Sequence, residues 1–194
     1  MEGSKGNSML VSAFVDFEIT KGLNFRTQYS GYTQNNRTGS YKGRYTKENK
    51  GSKNAKGQTE NYKTQNHTID NTLTYNGIFG DHAINATALL SVFEKYDEYM
   101  QIVVQDLPYR SLWHNLGTGA TPMGYNTDLV ESGILSYMGR VNYTFMDKYL
   151  FTFTGRYDGA SQLSETNRWA FFPSAAIGWR LSEESFIQDL GVFN

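Results

Sequence analysis

The feature that most constrains this chain is alternation. Apolar side chains recur at every second position over seven segments, and the links between those segments are alternately short and long. A two-residue period marks β-strands with one face in an apolar environment. The first segment, Leu10–Ile19, sets Val11, Ala13, Val15, Phe17 and Ile19 against Ser12, Asp16 and Glu18. The fifth, Ile134–Phe145, sets Leu135, Tyr137, Gly139, Val141, Tyr143 and Phe145 against Ser136, Arg140, Asn142 and Thr144. The sixth, Tyr149–Asp158, sets Tyr149, Phe151, Phe153 and Tyr157 against Thr152, Thr154, Arg156 and Asp158. Strands are predicted near residues 10–19, 23–32, 66–76, 82–94, 134–145, 149–158 and 168–181. The apolar faces of these segments carry no charge, and Asn71 is their main polar exception.

The short links are Thr20–Gly22, Asn76–Asp81 and Met146–Lys148, and the long polar ones are about Gln34–Gln65, Tyr96–Ser132 and Gly159–Asn167. Short periplasmic turns alternating with long outer loops are the mark of an outer-membrane barrel, and strands of about 9–11 residues suit a tilted crossing. A soluble sandwich also alternates, but it has no reason to place aromatics at the strand ends. Here Tyr143, Phe145 and Tyr149 flank one short link, while Tyr157 and Trp169 flank the opposite long one, as interfacial girdles require. The expected fold is therefore all-β, an antiparallel up-and-down transmembrane barrel segment of about seven strands, with residues 1–194 as one partial barrel domain.

Composition narrows function by exclusion. A formal net charge of −1 gives no field to recruit nucleic acid, and the absence of cysteine removes disulfides and thiol chemistry. Mean hydropathy is −0.55, and no run approaches the roughly 18 apolar residues of a membrane-spanning helix. Met1–Asn7 has no apolar stretch of the kind a signal peptide carries. His67, His82 and His114 are far apart and lack metal-ligand spacing, so they read as polar residues of turns and loops. Gly51-Ser52-Lys53 lacks the glycine spacing of a phosphate loop, and Asp158-Gly159-Ala160-Ser161 reads as a turn rather than a calcium loop. No catalytic residue, metal ligand or cofactor site can be named, and an enzyme is not expected.

Two loop regions offer candidate contacts. Gln34–Lys56 carries seven Lys or Arg against one Glu, which suits a solvated outer loop, with contact to outer-leaflet phosphates as the sharper reading. In Leu107–His114, the residues Tyr109, Arg110 and Trp113 combine aromatics with hydrogen-bonding groups, as glycan or peptide sites do; internal packing against the barrel mouth is the simpler reading. On the strands, Arg140, Arg156, Asp158 and Arg180 belong to the polar set and are expected to face the lumen. Pro173, inside the seventh segment, would cost a ladder hydrogen bond and predicts a bulge or bend near the rim.

From Ser132 onward the text becomes specific. Gly133-Ile134-Leu135-Ser136-Tyr137-Met138-Gly139-Arg140-Val141-Asn142-Tyr143 is followed by Asp147-Lys148-Tyr149-Leu150-Phe151-Thr152, Arg156-Tyr157-Asp158-Gly159-Ala160-Ser161, Asn167-Arg168-Trp169-Ala170-Phe171-Phe172-Pro173-Ser174 and Gly178-Trp179-Arg180-Leu181-Ser182-Glu183-Glu184. Together these resemble the barrel of the SusC/RagA family of TonB-linked outer-membrane transporters, and the resemblance includes Pro173. Asn71–Asn76 with Phe79–His82, and Lys21–Leu23 with Phe25-Arg26, look like earlier hairpins of the same barrel.

The resemblance implies a signal peptide, a TonB-contacting segment, a plug and a barrel of about 22 strands, of which this chain would supply about seven. Seven is odd, whereas single-chain bacterial barrels are even, so a piece of a longer chain is expected. It further implies uptake of a bulky nutrient, oligosaccharide or peptide, with a SusD-like surface lipoprotein, TonB and outer-membrane lipid as partners. Arg140, Arg156 and Arg180 would then face the plug, with Asp158 as a partner. The alternative is a soluble β-rich glycan-binding module using the Tyr109–Trp113 loop.

Overall fold

The computed structural model describes residues 1–47 and 54–188. Seven antiparallel strands form one sheet in sequence order: β1 (Glu2–Thr20), β2 (Leu23–Lys42), β3 (Lys56–Phe79), β4 (His82–Gln105), β5 (Thr121–Phe145), β6 (Tyr149–Ala160) and β7 (Trp169–Trp179). Each strand pairs with its neighbour in sequence, which is the up-and-down topology expected of hairpin links. A four-residue helix α1 (Ser185–Gln188) follows β7.

The short links are tight. Gly22 has φ +81°, and a Cβ there would run into the carbonyl oxygen of Asn76, so only glycine fits. Met146 (φ 52°) and Asp147 (φ 55°) turn the β5–β6 link in the left-handed region without a glycine. Two hydrogen bonds hold that turn: Lys148 N to Phe145 O at 3.0 Å, and Met146 N to Asp81 O of the preceding short link at 2.7 Å.

Strand length departs from expectation. β1 to β5 run 19, 20, 24, 24 and 25 residues, against 12 and 11 for β6 and β7. The polar stretches expected as loops at 34–65 and 96–132 are largely strand, leaving 43–47, 54–55 and 106–120 between strands among the described residues. In β3, Lys56–Asn66 is polar on both faces, so no period-2 contrast exists to read; the inter-strand ladder holds it extended. Of the basic stretch, Arg37 and Lys42 lie in β2 and Lys56 in β3, while Glu48, Lys50, Gly51, Ser52 and Lys53 lie outside the described residues.

The chain divides into two compact units. The first comprises Met1–Val11, Gly31–Asn66 and Lys95–Glu131, and the second the described parts of Ser12–Ser30, His67–Glu94 and Ser132–Asn194. Within the first, Ala55, Val104, Leu107 and Leu116 form a small hydrophobic core with Tyr41 and Ile102 against it. Its seats are strand glycines. A Cβ on Gly39 would overlap the Trp113 ring, one on Gly3 would come within 3.2 Å of it, and one on Gly57 would strike Leu116. The β4–β5 loop thus folds down onto bare backbone, as a glycine in a strand interior permits.

Within the second unit the register of the last three strands is unbroken. Cross-strand rows Phe145–Tyr149–Trp179, Tyr143–Phe151–Ile177, Val141–Phe153–Ala175, Gly139–Gly155–Pro173, Tyr137–Tyr157–Phe171 and Leu135–Gly159–Trp169 make one face, with no charge in any of them. The rows between them carry Arg140, Asn142, Thr152, Thr154, Arg156, Asp158 and Ser174 on the other face. The bulge expected at Pro173 is absent. Ala160 N donates to Arg168 O at 3.0 Å and Arg180 N to Lys148 O at 2.8 Å, which makes the even-numbered couples the hydrogen-bonded ones. Gly155 and Pro173 therefore form a non-hydrogen-bonded couple, and proline gives up no bond to β6. Two glycines of this face are covered by aromatics: a Cβ on Gly159 would sit 2.7 Å from Trp169 opposite it, and one on Gly155 would sit 3.2 Å from the diagonal Phe171.

Candidate functional site

The polar face of the second unit is a hydrogen-bonded surface rather than a scatter of solvated groups. On β6, Arg156 Nε reaches both oxygens of Asp158 at 2.8 Å, since residues two apart on a strand share a face. Its Nη2 donates to Ser136 Oγ on β5 at 3.1 Å, and Ser136 is 2 % exposed. Arg140 Nε donates to Thr154 Oγ1, directly opposite, at 3.2 Å. Arg156 and Asp158 therefore come together as a pair, with Arg140 nearby on the same face. Arg180 stands apart. It follows the end of β7, and its Nη1 donates to the Asp147 carbonyl at 3.2 Å, so it braces a short turn.

Two further elements of this face join residues that the sequence did not pair. Asn85 Nδ2 donates to Asn76 Oδ1 (2.6 Å), Asn142 Nδ2 to Asn85 Oδ1 (2.9 Å) and Thr152 Oγ1 to Asn142 Oδ1 (2.9 Å), a relay across β3, β4, β5 and β6. Asp16 and Arg26 form a two-point ion pair at 2.6 Å, with the Arg26 guanidinium 4.7 Å from the Phe14 ring centroid. The charges were visible one by one, but their partners depend on strand register.

The opposite face carries aromatic bands. At one end Phe145 and Tyr149 (6.4 Å), Tyr149 and Trp179 (6.2 Å), and Tyr143 and Phe151 (6.0 Å) stack across strands. Toward the other end Trp169 stacks on Tyr157 (4.8 Å) and Tyr137 (6.2 Å). Two histidines read as turn and loop residues belong here instead. His82 opens β4 and shares a 2.7 Å hydrogen bond with Tyr143 Oη, and His67 lies in β3 with Tyr29 Oη at 2.8 Å. Most of this face is uncovered by protein: Phe153 is 56 % exposed, Phe171 62 % and Ile177 79 %.

The loop candidates separate. Trp113 is 5 % exposed, sealed against the first unit's glycines with the Arg37 guanidinium 5.3 Å from its ring, so its surface is spent on packing. Tyr109 is half exposed and its hydroxyl accepts from Asn115 Nδ2 at 3.0 Å. Tyr109 and Arg110 line a cleft of about 710 Å³ with Tyr41, Arg44, Tyr45 and Asp106. The Asp106 carboxylate is held below its usual range by hydrogen bonds from Thr121 and then Asn54. Among the described residues no cluster of three or more His, Asp or Glu could hold a metal ion.

Comparison with known proteins agrees with this geometry. The family description "TonB dependent receptor-like, beta-barrel" matches residues 7–190. TonB-dependent receptor P3 of Formosa agariphila is 33 % identical over 190 residues, which is 95 % of this chain and 18 % of that protein. TonB-dependent receptor SusC of Bacteroides thetaiotaomicron is 51 % identical over 61 residues, 31 % of this chain and 6 % of SusC. The solved RagAB peptide transporter superposes with a TM-score of 0.89 at 21 % identity, covering 97 % of this chain and 21 % of that one, a likeness of fold. The chain thus spans about a fifth of the length of its longer relatives. With the register, the banded face and these matches together, this chain belongs to the TonB-dependent receptor β-barrel family, a family of outer-membrane receptors and transporters rather than enzymes.

Proposed function

We propose that this chain is a stretch of the wall of an outer-membrane importer for a bulky nutrient, an oligosaccharide or a peptide. The carrying observation is the charge-free face of β5–β7 with an aromatic band at each end. From the Tyr149–Trp179 row to the Gly159–Trp169 row is ten residue steps along β6, about 33 Å of strand, or about 25 Å along the membrane normal at a tilt of about 40°. That matches the apolar height of an outer-membrane barrel. Lipid covers this face, and the polar face looks into the lumen. There Arg140, Arg156 and Asp158 hold the plug, because a fixed ion pair and its fixed hydroxyl partners suit a standing protein contact better than a passing ligand.

The transport reading brings its partners with it. A SusD-like surface lipoprotein captures the nutrient, and TonB couples release to the inner-membrane proton gradient. The RagAB transporter handles peptides, and the reading for this chain spans both nutrient classes. The test is uptake. Cells carrying the receptor that contains this chain should accumulate a labelled oligosaccharide or peptide only when TonB is present, and the protein should fractionate with outer membranes. A protein that remains in the aqueous fraction without detergent would overturn the reading in favour of a soluble binding module.

A further inference from the structure

The first unit carries one constellation that neither its hydrophobic core nor the plug contact explains. On β3 and β4, three couples face each other at successive alternate positions. Gln101 Nε2 donates to Glu60 Oε1 at 2.8 Å, the Tyr62 and Tyr99 rings lie 4.6 Å apart at 37°, and Thr64 Oγ1 donates to Asp97 Oδ1 at 2.7 Å. The strip covers about 13 Å of strand. Flanking groups fix its ends. Gln58 Nε2 donates to Glu60 Oε1 at 2.7 Å and Thr38 Oγ1 to Oε2 at 3.3 Å, while Lys95 Nζ sits 2.6 Å from Asp97.

Its residues have the parity of Asp70, Thr72 and Thr74 along β3, the polar set, whereas Gly57, under the loop core, has the opposite parity. The tyrosine pair is thus no part of that core, and Tyr62 remains 48 % exposed. The two rings, Tyr62 exposed and Tyr99 half-buried, lie amid Gln and Thr outside that core. They do offer a flat apolar platform, with a carboxylate and amides held in place at one side and a hydroxyl and a carboxylate at the other. Sites with an aromatic floor and a few oriented polar groups recognise ligands that are apolar on one face and hydroxyl-bearing at the edge.

The charge pattern narrows this further. Glu60 is ringed by neutral donors, and Asp97 carries its own lysine, so the strip repels anions and offers acceptors to hydroxyl groups. We propose that Tyr62 and Tyr99 form a stacking subsite for a neutral glycosyl ring, with Glu60, Gln101 and Thr64 bonding its hydroxyls. This rests on the importer reading above and selects oligosaccharide over peptide within it.

The test measures binding on the receptor purified from outer membranes in detergent. The probes are neutral gluco-, manno- and galacto-configured hexasaccharides, a hexagalacturonate and a decapeptide library. A neutral hexasaccharide should bind. Tyr62→Ala or Tyr99→Ala should weaken it about tenfold, Tyr62→Phe should retain most of the affinity, and Lys63→Ala, on the other face of β3, should leave it unchanged. Tyr62→Phe guards against a variant that merely misfolds. Binding of peptide or hexagalacturonate alone, no glycan bound, or neutral-glycan affinity untouched by both alanine variants would each overturn the subsite. If TonB-dependent uptake persists in any of those cases, the importer reading stands without it; if the protein never enters the outer membrane, both fall.

Discussion

The two units of this chain use apolar side chains in opposite ways. Among the described residues, the buried hydrophobic ones, Ala55, Val104, Leu107, Trp113 and Leu116, all lie in the first unit, where a folded-back loop covers strand glycines. The second unit has the richer apolar composition and leaves it uncovered, with Phe153, Phe171 and Ile177 exposed in regular rows. One unit hides its apolar groups from water by folding on itself. The other arrays them at a height that suits a bilayer, which covers them on the importer reading. Contiguous apolar surface on this scale marks an interface with something other than water, and the aromatic bands at its ends say where that medium stops.

The largest effect should come from Trp113→Ala, which empties the seat formed by Gly3 and Gly39 and should cost about 3–5 kcal/mol of local stability. Limited proteolysis should then cut within 106–120, while the second unit stays protected. Equal protection of the loop in the variant would mean that the first unit has no core of its own.

Next in size is a charge in the banded face. Phe153→Arg should cost about 2–4 kcal/mol in bilayer-reconstituted unfolding, whereas Thr152→Arg, one residue along and on the polar face, should cost far less. Equal costs at the two sites would remove the distinction between lipid and lumen. Smaller still is the polar relay: Asn142→Ala strands Asn85 and Thr152 and should cost about 1–2 kcal/mol in the same measurement.

The smallest effect is acid sensitivity outside the strands' apolar span. Donors from Tyr149, then Lys148 and Trp179, hold Glu184 below the usual carboxylate range, and donors from Thr121 and Asn54 do the same for Asp106. A depressed carboxylate stabilises the fold above its unfolded value of about 4 and loses that contribution as pH falls through the folded value. Stability should therefore decline below about pH 4, and Glu184→Gln together with Asp106→Asn should flatten that decline in a pH series of thermal melts.

How much was legible beforehand differs between the same two regions. Period-2 contrast located the strands of the second unit to within a few residues at the turns, because one face of each meets an apolar medium. The strand extension at 56–66 escaped notice because its side chains are polar on both faces apart from Tyr62, and that at 95–105 because Glu98, Tyr99 and Val103 break its alternation. For Trp113 packing was the simpler reading beside a ligand contact, and the glycines at positions 3 and 39, remote in sequence, show what it packs on. His67 and His82 read as turn residues because their tyrosine partners lie on neighbouring strands.

The sequence by itself determined the all-β class, the up-and-down order and the sides of the sheet, since each rests on local periodicity and link length, and it carried the family resemblance in the particular residue runs between 133 and 184. Tertiary structure alone decided what depends on register across strands. It paired Arg156 with Asp158 and Ser136, built the asparagine relay, allowed Pro173 without a bulge, placed Arg180 at a turn and brought Tyr62 to Tyr99. Alternation says which way a side chain faces. Only the pairing of strands, fixed by turns and backbone hydrogen bonds far away in sequence, says what it meets there.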